Sequence, residues 1–278
     1  MKICKRVLLA LDLEGVNNVV GEPFLGLSIE SPQWYVAREQ AVLEINAAAD
    51  ALFKAGIEKI GLWDNHGKGE NVDPQKLDPR IILIKPKHRP RMAFAKDQYD
   101  CICYFGYHAM EGTLGGVLAH TMNSKDYQFY KINGKYVGEV DMDAYLAAHY
   151  GMPSLFFAAG NIACKQAQRA VPNIVTVTTK EELSRNSANF RDNNELLEDI
   201  RQNIVKAVLD SEKVGIKQMT FPCVVEKSFK RVENAAIYLK GLLKSGIDAD
   251  YLDDEILIKD AHTVCSVIHS IEEFQICI

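Results

Sequence analysis

Acidic residues and histidines follow several apolar segments of this sequence, and their types and spacing suit metal chemistry. Asp12 and Glu14 come directly after residues 7–11, an apolar run typical of a buried strand in a parallel sheet. Alternate residues of an extended chain point to the same side, so we expect the two carboxylates to project together. Adjacent carboxylates are costly to bury unless a cation or a shared proton compensates their charge. The pair therefore indicates a cation site, and the alternative is a solvated strand end with two acidic residues.

Further ligand-type side chains follow later predicted strands. His66 comes after a strand predicted at residues 57–63, His108 follows one at residues 100–105, and Glu139 lies at the exit of a predicted hairpin. The carboxyl ends of parallel strands meet at one edge of a sheet, where open α/β sheets bind their ligands. Two histidines and three carboxylates suit a two-metal centre of zinc, manganese or cobalt. Ions held about 3.5–4 Å apart by a bridging carboxylate would activate a water molecule as a nucleophile.

The elements that must position these side chains alternate between strands and helices. This alternation predicts an α/β fold with a mainly parallel sheet flanked by helices, followed by a smaller C-terminal α+β unit. We expect a metal-binding catalytic domain over residues 1–190 and the smaller unit over residues 191–278, although strands of the two could interleave. The smaller unit is predicted to contain helices at residues 195–209, 232–243 and 261–274 and strands at residues 218–225 and 255–259.

Composition excludes several classes of protein. The chain of 278 residues is 47% hydrophobic and 25% charged, which is ordinary for a soluble globular protein. Its net charge of −5 lacks the basic excess of a nucleic-acid-binding protein, so we expect no nucleic acid partner. No apolar run reaches the roughly 18–20 residues that cross a bilayer, so we expect no membrane association. Seven cysteines, an odd number without CxxC spacing, are typical of reduced thiols in a cytoplasmic protein.

Other polar residues leave two interpretations open. Asp64 could orient His66 through a hydrogen bond, or it could form an Asx-turn in its own loop. A basic cluster could attract the carboxylate of a peptide, or it could be a solvated loop. Its members are Lys85, Lys87, His88, Arg89 and Arg91.

Five segments in order along the chain resemble the M55 metallopeptidases, a family of D-aminopeptidases. They are Asp12-Leu13-Glu14-Gly15, Asp64-Asn65-His66-Gly67, Gly106-Tyr107-His108-Ala109, Gly112-Thr113 through His120-Thr121, and Asn133-Gly134 through Gly138-Glu139. Glu44-Ile45-Asn46-Ala47 and Ser184-Arg185-Asn186-Ser187-Ala188 also resemble the family. Five ordered motifs are far more specific than any one of them.

The resemblance implies roles for individual residues. It implies that Asp12 bridges two Zn²⁺ ions per subunit, with Mn²⁺ or Co²⁺ as the other candidates. Glu14 and His108 would complete the ligands of one ion, and His66 and Glu139 those of the other. His120 would be the catalytic histidine, which the family description calls the nucleophile. Because a metal-activated water is available, we expect His120 instead to transfer a proton or to stabilise the oxyanion.

The resemblance also implies an activity and an assembly. We expect a binuclear zinc aminopeptidase that removes the N-terminal residue, D-configured according to the resemblance, from short peptides. The implied assembly is a homodecamer of two stacked pentameric rings. One alternative is an amidohydrolase that acts on another small peptide-like metabolite. The other is a non-catalytic peptide-binding protein on the same fold, which absence of turnover with metals bound would favour.

Overall fold

The computed structural model describes residues 4–84, 90–214 and 216–278. These residues contain thirteen strands and six α-helices. The strands are β1 (Arg6–Leu11), β2 (Lys59–Asp64), β3 (Ile82–Ile84), β4 (Cys101–Phe105), β5 (Tyr127–Ile132), β6 (Lys135–Tyr136), β7 (Ser154–Ala159), β8 (Val175–Thr178), β9 (Lys180–Ser184), β10 (Ser187–Phe190), β11 (Cys223–Phe229), β12 (Asp248–Asp254) and β13 (Ile258–Ile268). The α-helices are α1 (Pro32–Lys54), α2 (Glu139–His149), α3 (Asn161–Ala170), α4 (Asn193–Leu209), α5 (Val232–Lys244) and α6 (Ile271–Cys277).

A six-stranded parallel sheet forms the centre of the fold, with the strand order β3-β2-β1-β4-β7-β8. Strands β1, β4 and β7 are almost entirely buried, as expected for apolar runs covered on both faces. The chain leaves β1 toward β2 on one side and later returns to β4 on the other. The carboxyl ends of β1 and β4 therefore form a topological switch point, where doubly wound sheets bind ligands.

Helices flank this sheet, and the expected fold class is confirmed. Helix α1 packs against α4, and α4 also packs against β7 and β8. Helix α3 packs against the same two strands and contacts α2. The α1 boundaries follow from the sequence, because Pro32 suits the first turn of a helix and Gly56, with a φ of 90°, ends the segment just after it.

A second, antiparallel sheet has the strand order β12-β13-β11-β5-β6, and α5 packs against its three C-terminal strands. Its hairpin β5–β6 comes from the middle of the chain, so strands from before and after residue 190 share one sheet. Conversely, α4 follows residue 190 and packs against the parallel sheet. The division into residues 1–190 and 191–278 stays a prediction.

The helix predicted at residues 261–274 is wrong. Residues Ile258–Ile268 form β13, and only Ile271–Cys277 is helical. The β-branched residues of this segment favour an extended chain, and Val264, Ser266 and Ile268 are buried at alternate positions. The strand predicted at residues 255–259 spans the turn between β12 and β13.

None of the α-helices within the described residues is long and apolar enough to cross a membrane. Four members of the predicted basic cluster, Lys85, Lys87, His88 and Arg89, lie outside the described residues. The fifth, Arg91, forms two hydrogen bonds of 2.6 and 2.9 Å with the Asp143 carboxylate. Its charge is therefore neutralised within the fold.

Candidate metal centre

The ends of three neighbouring strands bring the predicted ligands together. Asp12 follows β1, and its amide donates to the carbonyl of Phe105, the last residue of β4, at 2.8 Å. The Asn65 amide, which follows β2, donates to the Leu11 carbonyl at 2.8 Å. These bonds extend the parallel pairing beyond the strands by one residue. They set Asp12 beside the segments that carry His66 and His108.

Two glycines allow the β1 and β4 ends to approach this closely. Gly106 has a φ of 67°, and a Cβ atom there would lie 1.9 Å from the Asp12 carbonyl oxygen. A Cβ atom on Gly15 would lie 2.0 Å from the Tyr107 carbonyl oxygen. Any side chain at either position would therefore push the two loops, and the ligands on them, apart.

Glu139 reaches the centre from a helix rather than from a hairpin strand. The second strand of the hairpin ends at Tyr136, and Glu139 is the first residue of α2. The Gly138 amide donates to the Asp141 carboxylate at 2.9 Å, a bond that caps this helix terminus. The Met122 amide donates to Glu139 Oε1 at 2.7 Å, which orients the carboxylate. The start of a helix also stabilises a negative charge.

Asp12, Glu14 and His66 form the first group of ligand-type side chains, called here the His66 group. Nδ1 of His66 lies 2.8 Å from Asp12 Oδ1 and 3.1 Å from Glu14 Oε2. Its Nε2 lies 3.2 Å from the Leu27 carbonyl oxygen, which can only accept a hydrogen bond. In the neutral ring the proton is therefore on Nε2, and the Nδ1 lone pair faces the two carboxylates.

Asp12, His108 and Glu139 form the second group, the His108 group. His120 also lies close enough to His108 and Glu139 to share a metal ion with them. Nδ1 of His108 donates to the Ala109 carbonyl at 3.0 Å. Its Nε2 is buried without a hydrogen-bond partner, although Asp12 Oδ2 and Glu139 Oε1 lie 3.4 and 3.3 Å away. A buried lone pair that faces two carboxylate oxygens is repelled unless a metal ion or a proton lies among them.

The two groups differ from the pairing that the resemblance implied. Glu14 lies with His66, and Glu139 lies with His108, whereas the expected ligand sets combined them the other way. Asp12 joins the groups as expected of a bridging residue, because Oδ1 faces His66 and Oδ2 faces His108.

His120 lies against the His108 group. Its ring stacks on that of His108 with centroids 3.8 Å apart, and its Nδ1 donates to the Leu118 carbonyl at 2.9 Å. Its Nε2 is 3.9 Å from Glu139 Oε1. Burial and the neighbouring His108 lower the pKa of His120. The ring is therefore neutral at neutral pH and can accept a proton.

The carboxylates and the other two histidines shift one another's pKa values. Burial alone would raise the pKa of Asp12, but the neighbouring His108 and His66 hold it well below its usual value. Burial also opposes ionisation of Glu139, yet the charge of His108 lowers that pKa to about 2. Burial would lower the pKa values of His66 and His108, but the charges of Glu14 and Glu139 raise them well above the usual value. A proton on each ring thus balances the carboxylates where no metal ion does.

The donor set fits divalent metal ions. Asp12, Glu14 and Glu139 are only 4%, 5% and 8% exposed. Within the described ranges, their ion-pair partners are histidines, and no lysine or arginine forms an ion pair with them. Such buried carboxylates need compensating charge, and two divalent cations between them and the imidazoles would supply it.

A cavity of about 350 Å³ opens above the two groups. The side chains of the centre that line it are Asp12, Glu14, His66, His120 and Glu139. The rest of its wall consists of residues 25–28, residues 122–125, Asn65, Gly67, Leu118 and Arg185. A larger cavity of about 600 Å³ lies at the opposite edge of the sheet, among the first residues of β1 and β4, and contains none of the predicted ligands.

Within the described residues, the hydrogen bonds of the His66 ring go to Asp12, Glu14 and Leu27 and not to Asp64. The Asp64 carboxylate accepts hydrogen bonds from the backbone and side-chain nitrogens of Asn71 at 2.6 and 2.9 Å. Asn71 Nδ2 in turn donates to the His66 carbonyl at 2.8 Å. Asp64 thus stabilises the loop that carries His66, whereas the Leu27 carbonyl orients the His66 ring.

No strand is predicted from the sequence over the β9–β10 hairpin, which forms hydrogen bonds with the loop after β1 and with the segment that precedes His120. Lys180 donates to carbonyls in the loop after β1, and Glu182 accepts from the Val117 amide at 2.8 Å. Arg185 donates to the Ala119 carbonyl at 2.7 Å, directly before His120. The hairpin's turn includes Ser184–Ala188, one of the segments that resemble the M55 family, and this was the available signal.

The fold and the site together define a doubly wound α/β protein with a candidate two-metal centre at its switch point. A sequence model of the M55 peptidase family, described as D-aminopeptidase, matches residues 5–244. The chain belongs to this family, as its motifs predicted.

A curated sequence and a solved structure, each from Bacillus subtilis, agree with this assignment. A protein from strain 168 described as D-aminopeptidase is 28% identical over 186 residues, which span 66% of this chain and 66% of that relative. A solved structure described as the Zn-dependent D-aminopeptidase DppA, a self-compartmentalizing protease, has a TM-score of 0.85 and 23% identity. That match covers 98% of this chain and 94% of the other, so the two proteins share their fold.

Proposed function

We propose that this protein is a binuclear zinc aminopeptidase that removes the N-terminal residue from short peptides. The observation that carries the proposal is the arrangement of His66 and His108. Each ring gives one nitrogen to a backbone carbonyl and turns the other toward two buried carboxylates. Metal-binding histidines have this arrangement, in which the second nitrogen fixes the tautomer. Membership of a peptidase family supports peptide hydrolysis.

The His66 group would hold one ion and the His108 group the other, with one oxygen of Asp12 directed to each. Zinc ions bound there would polarise the scissile carbonyl and activate a water molecule. The zinc dependence of the similar solved structure supports this choice of metal.

His120 is the proposed proton carrier. Its lowered pKa keeps Nε2 free to accept a proton from the attacking water, and the same nitrogen can then protonate the departing amine. The Leu118 carbonyl holds the ring in the tautomer that this role requires. A cavity of about 350 Å³ suits a ligand of a few residues.

Selectivity for a D-configured N-terminal residue is proposed from the descriptions of the family and of both relatives. A panel of D- and L-aminoacyl amides tests it, and the proposal requires a marked preference for the D series. The self-compartmentalizing assembly of the solved relative supports a ring-shaped oligomer. The decamer of stacked pentamers stays a prediction that light scattering would test, and the cytoplasmic location also stays a prediction.

The decisive experiment measures zinc content and hydrolysis together. We expect about two ions per chain in protein purified without chelator. His108→Ala should reduce the content to about one or fewer and lower kcat/KM at least about 100-fold, because the His108 group loses a ligand. His149→Ala, which alters an exposed histidine on α2, is the matched control and should change neither. A wild-type protein that takes up neither zinc nor manganese would refute the proposal.

A further inference from the structure

The loop after β1, residues 14–19, is held by a buried lysine from a distant part of the chain. Lys180 Nζ donates to the carbonyls of Glu14 and Val16 at 2.6 and 2.9 Å, and to that of Val19. An ammonium group has three protons and accepts nothing, so these carbonyls use its full donor capacity. The side chain is completely buried, and its only described hydrogen bonds are to this loop.

Neighbouring contacts hold the same loop. Thr179 Oγ1 donates to the Gly15 carbonyl at 2.6 Å. From the opposite side, Glu44 Oε1 accepts a hydrogen bond from the Asn17 amide at 2.9 Å. The loop is therefore fixed through its own backbone, and Glu14 is the residue at its start.

We infer that Lys180, assisted by Thr179, is a positioning residue for Glu14 and sets the metal affinity of the His66 group. Burying an ammonium group is costly. Because all three of its hydrogen bonds go to one loop, we interpret the role of this lysine as holding that loop in place. Among the described residues, the Lys180 side chain forms hydrogen bonds with the loop and none with a residue of the His108 group. Its effect should therefore fall on one metal position and not on the other. The inference rests on the proposed metal centre.

The test isolates each group by removing one ligand of the other. In a Glu139→Gln background the His66 group is complete, and in a Glu14→Gln background the His108 group is complete. Zinc affinity is measured on metal-free protein by competition with a chromogenic chelator. Adding Lys180→Met should weaken zinc binding about tenfold in the first background, in the range seen when outer partners of ligands are lost. It should change the affinity less than about twofold in the second.

Two further variants distinguish a specific loss of zinc affinity from a general loss of folding. Thermal melting of each variant would reveal a general loss of folding. Lys227→Met removes another buried lysine, one that contacts aromatic rings and the Cys277 carbonyl, and should leave zinc affinity unchanged. Thr179→Val removes one hydrogen bond of the same loop and should weaken the His66 group about threefold. Thr179→Val can be measured even where Lys180→Met does not fold.

The inference would be overturned if Lys180→Met weakened zinc binding equally in both backgrounds. It would also be overturned if neither Lys180→Met nor Thr179→Val weakened zinc binding. Both outcomes would leave the proposed function intact. A protein that binds zinc with the predicted selectivity but hydrolyses no peptide would refute only the proposed function. A wild-type protein that binds no zinc would refute both.

Discussion

Each histidine of the centre has one ring nitrogen that donates a hydrogen bond to a main-chain carbonyl. The acceptors are the carbonyls of Leu27, Ala109 and Leu118. Because these are backbone atoms, substitution of nearby side chains leaves the ring tautomers in place. Single substitutions in the site should therefore act through charge and ligand number rather than through ring orientation.

His120 differs from the other two histidines in having one distant carboxylate, Glu139 at 3.9 Å, and a lowered pKa. We expect His120→Ala to lower kcat by about 10²–10⁴-fold, the usual contribution of a general acid–base. Zinc content should remain that of the wild type, with His149→Ala again as control. Loss of one zinc ion per chain would instead identify His120 as a ligand.

At the scale of elements, the apolar runs that form buried strands were the most predictable. Residues 154–159 are such a run, with five apolar residues in succession, and they form the fully buried strand β7. The apolar residues of the segment that forms β13 also recur at helical spacing, so only pairing with β11 and β12 decides between helix and strand. The start of α2 was missed because the Asn133-Gly134 turn favours a long hairpin.

The approach of β1 to β4 can be tested at Gly106. Gly106→Ala introduces a Cβ atom 1.9 Å from the Asp12 carbonyl oxygen, in addition to a strained φ of 67°. Gly134→Ala is the matched control, with a φ of 72° and open space around the new atom. The control should cost about 1–2 kcal/mol, the usual penalty of this conformation, and Gly106→Ala more than twice as much. Urea unfolding in the presence of a chelator measures the free energy of unfolding of both variants. Equal decreases in that free energy would show that the close approach of β1 to β4 is unimportant.

At the scale of the whole molecule, the centre combines parts of the chain that are far apart in sequence. Its ligands come from residues 12–139, and the lysine that holds the first loop is 166 residues from Glu14. Assembly of the centre therefore requires most of the fold, and metal binding should in turn stabilise the folded chain.

Metal removal should make the stability of the protein fall as the pH rises. In the metal-free protein His66 and His108 have pKa values raised above 6.5, so the stability they contribute is complete below pH 6.5 and is lost as the pH rises through their folded pKa values. The free energy of unfolding should then fall by up to about 2.7 kcal/mol per pH unit, the limit for two protons. With zinc bound the rings are unprotonated, and this fall should disappear.

Urea unfolding between pH 6.5 and 8.5, with chelator and with zinc, measures the difference. Metal-free His108→Gln, which has one titrating ring fewer, should show a shallower fall than the metal-free wild type. Parallel pH profiles with and without zinc would contradict the expected coupling.

The sequence by itself determined the parallel sheet, the family, and the strand ends at which Asp12, His66 and His108 appear. These features depend on local apolar patterns and on the rule that parallel strands end at one edge. Only the tertiary structure decided that Glu14 lies with His66 and Glu139 with His108, and that Lys180 holds the loop after β1. Such pairings depend on loop paths and on distances of a few ångströms between residues remote in sequence, which no local pattern of residues encodes.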